Sequence, residues 1–353
     1  MPMPSRQSGA IDLPHLTLMY SEAASAPTLL VNQRISNQQI YSAIRDDLTA
    51  RPVNTVLTLG RGSSDNAATF ARYLIERRLG LATGSMAPSV TSLYGAKLDL
   101  SSTLLLAISQ SGRSPDLLAA ARNAKKQGAR VVAIVNDGES PLAEEADFAI
   151  NIAAGPELSV AATKSFMLSL TALLDLITTL SDDKQLASLI DTLPEQLEQA
   201  WGLDWSPCLD ILEGASSLFV IARGHSLGIA QEIALKLKET CSIHAEAYSA
   251  AEVRHGPMAL VGQGYPVMVI AQNDESLADI EDMARQFLDR DARVMSAGLN
   301  VDSTISLPAV PSDPVIAPLL QLQSFYRLCE ELSRKRGFDP DRPPHLSKVT
   351  RTI

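Results

Sequence analysis

Ser109-Gln110-Ser111-Gly112-Arg113-Ser114 gathers three hydroxyls, an amide and a glycine into six residues. Such a segment can wrap an anion, because hydroxyls and amides donate hydrogen bonds and a glycine lets the backbone come close. Gly62-Ser63-Ser64 offers a second set of donors. Neither stretch is a GxxxxGK[ST] loop, which disfavours a nucleoside triphosphate. Gly60 and Gly62 also lack the third glycine of GxGxxG. A single phosphomonoester fits better. The alternative is that these serines only cap a helix.

A second group of reactive residues lies on Gln231–Glu239. Glu232, Lys236 and Glu239 stand at i, i+4 and i+7, which puts them on one face of a helix. A carboxylate there, with His255 a short loop away in Glu252-Val-Arg-His255-Gly-Pro-Met258, makes an acid/base pair for moving a proton beside a carbonyl. The alternative is a solvated Glu232–Lys236 pair and a structural histidine. His244 is expected to pack or hydrogen-bond in a turn, and His225 to line a pocket rim. His15 and His345 fall in the terminal segments. Lys348 sits in an irregular tail rich in Pro and charge, where an exposed lysine is the default.

These groups need elements to hold them. Leu16–Leu48 has helical spacing. Strand patterns at Asn54–Leu59, Thr103–Ile108 and Arg130–Val135 alternate with helix patterns at Asn66–Leu79 and Pro115–Gln127. Nearly all-apolar strands between amphipathic helices predict a parallel sheet covered on both faces. The pattern repeats with strands at Ser217–Ile221, Tyr265–Ile270 and Arg293–Ala297. LTLGRGSS aligns with FVIARGHS, and LLAISQSG with VMVIAQND, each offset by about 160 residues. Two units of one doubly wound α/β fold follow, joined by the helical stretch Ser181–Trp205. Because AQND carries an acid where SQSG would hold an anion, one anion site per chain is expected.

The chain has 353 residues, 46% of them apolar, enough for about two domains of roughly 100–200 residues each. A net charge of −10 argues against nucleic-acid or anionic-membrane partners. Cys208, Cys241 and Cys329 have neither metal-ligand spacing nor a disulfide pattern, which suits a reducing, cytoplasmic setting. MPMPSRQSGA has no apolar core and does not read as a signal peptide. Ser165–Leu180 is interrupted by Asp175 and reads as a buried helix, not a membrane span.

The segments GRGSSDNA (60–67), AISQSGRSPDLLAA (107–120), AGPELSVAATKSF (154–166), ALKLKE (234–239), IHAEAY (243–248), EVRHGPMAL (252–260) and HLSK (345–348) together resemble the sugar isomerase (SIS) domain family in its tandem form. The resemblance is to the isomerase half of glutamine–fructose-6-phosphate aminotransferases and to the stand-alone glucosamine-6-phosphate deaminases of that family. It implies two flavodoxin-like, three-layer α/β/α SIS domains with a C-terminal tail. Expected divisions are an N-terminal segment (1–30), a first SIS domain with the phosphosugar loops (31–195), a second with the catalytic helix (196–335), and a tail (336–353) carrying Lys348.

The resemblance further implies that Ser63, Ser64, Ser109, Gln110, Ser111 and Ser114 bind a hexose or amino-hexose 6-phosphate. Val160 and Ala161 would meet the sugar through their backbone, with Lys236 near the catalytic helix. Glu239 would shuttle a proton between C1 and C2. His255 would open the ring from the neighbouring subunit of a homodimer, and Lys348 would form a Schiff base with the open-chain ketose. No metal or other cofactor is implied. Met1 is followed by Pro2, and no cysteine precedes Cys208, so the family's cysteine route to glutamine hydrolysis is not expected. Arg113 replaces an acid and Ala162 a serine, both expected beside the sugar. The expected reaction is conversion of glucosamine 6-phosphate to fructose 6-phosphate and ammonia. A simple aldose–ketose isomerase, a deglycase, a galactosamine-6-phosphate deaminase and a non-catalytic sugar-phosphate sensor are the alternatives.

Overall fold

The computed structural model describes residues 16–348. Residues 1–15 and 349–353, which include His15 and the outer ends of the expected N-terminal segment and tail, lie outside the described residues.

A long helix, α1 (Leu18–Ala50), opens the chain and is capped by Thr17, whose side chain accepts from the Tyr20 amide. Five strands follow: β1 (Thr55–Leu59), β2 (Ala82–Ser85), β3 (Thr103–Ser109), β4 (Arg130–Val135) and β5 (Phe148–Asn151). Between them run α2 (Ser63–Leu79), α3 (Pro88–Ser92), α4 (Pro115–Lys126) and α5 (Pro141–Glu145). Four helices lead onward: α6 (Lys164–Ser181), α7 (Lys184–Asp191), α8 (Leu193–Trp201) and α9 (Leu209–Glu213). The second set of strands is β6 (Ser217–Ala222), β7 (His244–Ser249), β8 (Pro266–Ile270), β9 (Arg293–Ala297) and β10 (Ile305–Leu307). Helices α10 (Ser226–Cys241) and α11 (Leu277–Leu288) connect them, and α12 (Ala317–Lys335) closes the fold.

The strands pair in the order β2-β1-β3-β4-β5 in one sheet and β7-β6-β8-β9-β10 in the other. Every pairing is parallel. Counted within its own half, each sheet has the order 2-1-3-4-5, the flavodoxin-like arrangement. The internal repeat is therefore a repeat of topology as well as of sequence. All seven residues of β3 are buried, and its five central residues, Leu104–Ile108, form an unbroken apolar run.

One hydrophobic core crosses both halves, with Phe70 of α2, Leu173 of α6, Ile229 of α10 and Phe325 of α12 all in it. Helix α6 is apolar enough by length and composition to cross a membrane, yet 83% of that stretch is buried inside the fold, as expected for a core helix. Helices α2 and α10 approach closely at Gly228. A Cβ there would lie 2.5 Å from the Asn66 carbonyl oxygen and 2.7 Å from the Phe70 nitrogen. Only glycine permits that approach, and it brings the acidic face of α10 against the start of α2.

Candidate functional site

The carboxyl ends of β1 and β3 form the point where strand order reverses, the usual ligand crevice of such sheets. A cleft of about 350 Å³ opens there, within the roughly 300–1,000 Å³ of small-molecule sites. Ser63, Ser64, Ser109, Gln110, Ser111 and Ser114 line it from the first half, with Val160 and Ala162 from the loop before α6. Lys236 and Glu239 of α10 line it from the second half, and Lys348 from the tail. The two sets of chemically capable residues thus share one cavity.

On the hydroxyl side, Ser114 is the N-cap residue of α4, but its side chain makes no capping hydrogen bond. The capping alternative therefore does not account for its hydroxyl. Ser109 accepts from the Gly112 amide at 3.2 Å, and Ser111 from the Arg113 amide at 3.3 Å. Each of these hydroxyls still has its proton to donate. Gly112 has φ +59°, and a Cβ on it would stand 2.2 Å from the Ser140 hydroxyl oxygen, so the turn requires glycine. Two side chains expected in the clamp are committed elsewhere. Gln110 donates its amide to Glu157 at 2.9 Å, and Ser63 donates to Glu232 at 3.0 Å.

The solvated-pair alternative for Glu232 and Lys236 is overturned, because both side chains are buried on α10. Glu232 accepts from Ser63 and, at 2.9 Å, from Asn66. Burial pushes its carboxyl upward, against the pull of Lys236. Lys236 stands 3.5 Å from Glu232 and is hydrogen-bonded to Glu239. Burial alone would favour its neutral amine, but Glu232 and Glu239 outweigh that and hold the ammonium above its usual value. Lys236 is therefore a fixed positive charge beside Glu239, not a nucleophile.

A further carboxylate, Glu157, joins the site without any motif in the sequence to mark it. Its carboxylate accepts from Gln110, from the Thr163 and Ser165 amides at 3.0 and 3.1 Å, and from the Ser165 hydroxyl at 2.5 Å. Lys348 reaches it at 3.3 Å and donates to the Ser159 carbonyl at 2.7 Å, so Lys348 is not the free exposed lysine that is the default in a tail. The one available signal is a lone acid in the small and apolar run Ala153–Ala162.

Several expectations are corrected. Ala161 is buried, and it is Ala162 beside it that lines the cleft. Arg113 points away to an exposed ion pair with Asp137 at 2.7 Å, so of the two departures only Ala162 faces the cavity. His225 is no rim residue. It is fully buried against Phe70, and its Nε2 lies 2.7 Å from the Pro314 carbonyl. His244 starts strand β7 with its side chain exposed, so it is not in a turn. His255, expected to serve the cleft of a neighbouring subunit rather than its own, is exposed beyond the short 3-10 stretch Glu252–Arg254 and lines no part of its own chain's cleft. At the matching switch point of the second half, Ser226 and Gln272 bond to each other, and Asp274 accepts from Ser276. Burial acts to raise the Asp274 carboxyl, but the Ser276 and Gln272 hydrogen bonds hold it below its ordinary value. That crevice carries a charged acid, in keeping with a single anion site.

Comparison with known proteins gives three findings. The family profile described as the SIS domain matches residues 51–179 and 211–310. Glutamine–fructose-6-phosphate aminotransferase of Sulfurisphaera tokodaii is 34% identical over 303 residues, covering 83% of this chain and 49% of that protein. The Shewanella oneidensis enzyme of the same name is 32% identical over 348 residues, covering 93% of this chain and 57% of its own length. The chain thus spans about half the length of the curated relatives it matches. Among solved structures, a protein from Silicibacter pomeroyi assigned as a phosphosugar isomerase is 41% identical with a TM-score of 0.87, over 92% of this chain and 100% of that one. The C-terminal domain of the aminotransferase from Francisella tularensis is 26% identical with a TM-score of 0.85, over 96% and 100%. Glucosamine-6-phosphate deaminase of Thermotoga maritima, at 23% identity and a TM-score of 0.74 over 95% and 100%, shares the fold.

Proposed function

The chain belongs to the SIS domain family, and from that premise we propose that it is a phosphosugar isomerase that converts glucosamine 6-phosphate to fructose 6-phosphate and ammonia. The observation that carries this reading is the shared cleft. A hydroxyl nest beside the N-termini of α2 and α4 opens into the same cavity as Glu239, a carboxylate from the other half of the chain.

Ser64, Ser109, Ser111 and Ser114 hold the phosphate. The helix ends behind them favour a negative charge. His255 of the partner subunit in a homodimer assists ring opening. Glu239 then takes the proton from C2 of the open-chain aldose and returns it to C1. The C2 amine becomes an iminium and C1 becomes an alcohol. Water, or Lys348 followed by water, adds to C2 and expels ammonia, leaving the ketone. The balance is one amino-sugar phosphate and one water in, one ketose phosphate and one ammonia out. The C1 aldehyde is the electron sink when the C2 proton leaves, and the nitrogen lone pair drives protonation at C1 to give the C2 iminium, so a single carboxylate beside C1 and C2 serves both proton transfers.

An ammonium-release assay on glucosamine 6-phosphate tests the reading, with galactosamine 6-phosphate and a fructosamine-type phosphate run beside it. Wild-type protein should release ammonium. Glu239→Gln should lose that activity by about a thousandfold or more while still binding the phosphosugar. Tight binding of a hexose phosphate with no product over hours would instead favour the sensor reading.

A further inference from the structure

A phosphomonoester carries about −1.5 to −2 charge at neutral pH, and hydroxyl groups supply donors but no compensating charge. Among the described residues, the cations lining the cleft are Arg61, Lys236 and Lys348. Lys236 is committed between Glu232 and Glu239, and Lys348 to Glu157. Arg61 is held differently. A single oxygen of Asp116 takes both of its contacts, at 3.0 Å from Nη2 and 3.3 Å from Nε. A guanidinium has five N–H donors in a planar fork, so donors remain on Arg61 for a ligand.

Its position is also specific. Arg61 directly precedes Gly62-Ser63-Ser64 at the start of α2, and Asp116 lies in the first turn of α4, two residues after Ser114. The guanidinium therefore bridges the two helix starts that supply the hydroxyls. The Arg61 side chain is 56% exposed, whereas that of Asp116 is 3% exposed, so the acid anchors the cation from behind. The second half has a counterpart: Arg223 stands 3.3 Å from Asp279 in the first turn of α11. That clasp belongs to the fold in both halves. What distinguishes Arg61 is the hydroxyl nest it faces.

We propose that Arg61 is the charge partner of the substrate phosphate and makes this cleft select phosphomonoesters over uncharged sugars. The proposal rests on the phosphosugar reading above. Its test must separate a ligand contact from a structural clasp. In Arg61→Met/Asp116→Asn both members of the pair are replaced, so no buried carboxylate is left unpaired. Calorimetric titration of the full chain with glucosamine 6-phosphate, inorganic phosphate and glucosamine, with thermal unfolding alongside, gives the readout.

The double variant should unfold near the wild-type temperature, yet bind the 6-phosphate about ten- to a hundredfold more weakly. Inorganic phosphate should weaken in parallel, and glucosamine should not change. Wild-type affinity for phosphate in the double variant would overturn the role of Arg61 and leave the phosphosugar reading standing. If the wild-type protein binds neither phosphate ligand, that reading falls, and the proposal with it. Should the double variant fail to fold, Arg61→Lys takes its place, keeping a charge but losing the fork. Weaker phosphate binding at an unchanged unfolding temperature then supports the proposal, and equal binding overturns it.

Discussion

Lys236 and Glu157 show how buried charges build a site without themselves being its reactive groups. Each is satisfied on several sides. Lys236 lies between two carboxylates, and Glu157 among donors from the β3–α4 loop, the start of α6 and the tail. A buried ion that loses its partner is left uncompensated, which is far more damaging than losing a surface pair. Glu157→Gln keeps the shape but sets an amide among groups that all donate. It should cost about 3 kcal/mol of stability in urea unfolding, and lower kcat for ammonium release more than it raises KM, because Lys348 loses its position. Wild-type stability and turnover would refute that role. The hydroxyls and Glu239 were legible in the sequence because each set is contiguous or lies on one helix face. Glu157 was not, since Gln110, Ser165 and Lys348 meet it only after folding.

At the scale of elements, central strands were legible because burial on both faces leaves an apolar run, Leu104–Ile108 in β3 and Val131–Val135 in β4. Edge strands β2, β7 and β10 have polar or partly exposed residues and show no such run. Helix α6 illustrates the opposite limit, an apolar core helix that nevertheless buries an acid. Asp175 pairs with Arg34 at 3.1 Å, yet burial outweighs that attraction and pushes its carboxyl up to about 6. A raised folded-state value means that the stability is present when the acid is neutral and declines as pH rises through about 6. Asp175→Asn has no such decline. Between about pH 4.5 and 7.5, the variant should therefore gain about 2 kcal/mol relative to wild type in urea unfolding. Parallel pH profiles would show that Asp175 ionises as an ordinary exposed acid.

For the whole molecule, the proposed ring-opening role of His255 requires a second subunit. Glu239 lines the cleft of its own chain, whereas His255 is exposed outside it. In a twofold dimer, any contact one subunit makes across the interface is returned by the other, so two equivalent sites form, each drawing on both chains. Suppose His255→Ala and Glu239→Gln are prepared separately, each inactive in ammonium release, then mixed and allowed to exchange subunits. In a mixed dimer, one cleft has Glu239 of the first variant and an intact His255 of the second, while the other cleft has neither. With random exchange half the dimers are mixed, so about a quarter of wild-type activity should return. Were His255 to serve the cleft of its own chain, every site in the mixture would lack one group, and no activity would appear at any mixing ratio. Subunit exchange must be demonstrated in the same sample by mass-tagged chains, so that a silent mixture counts against the shared site and not against the mixing.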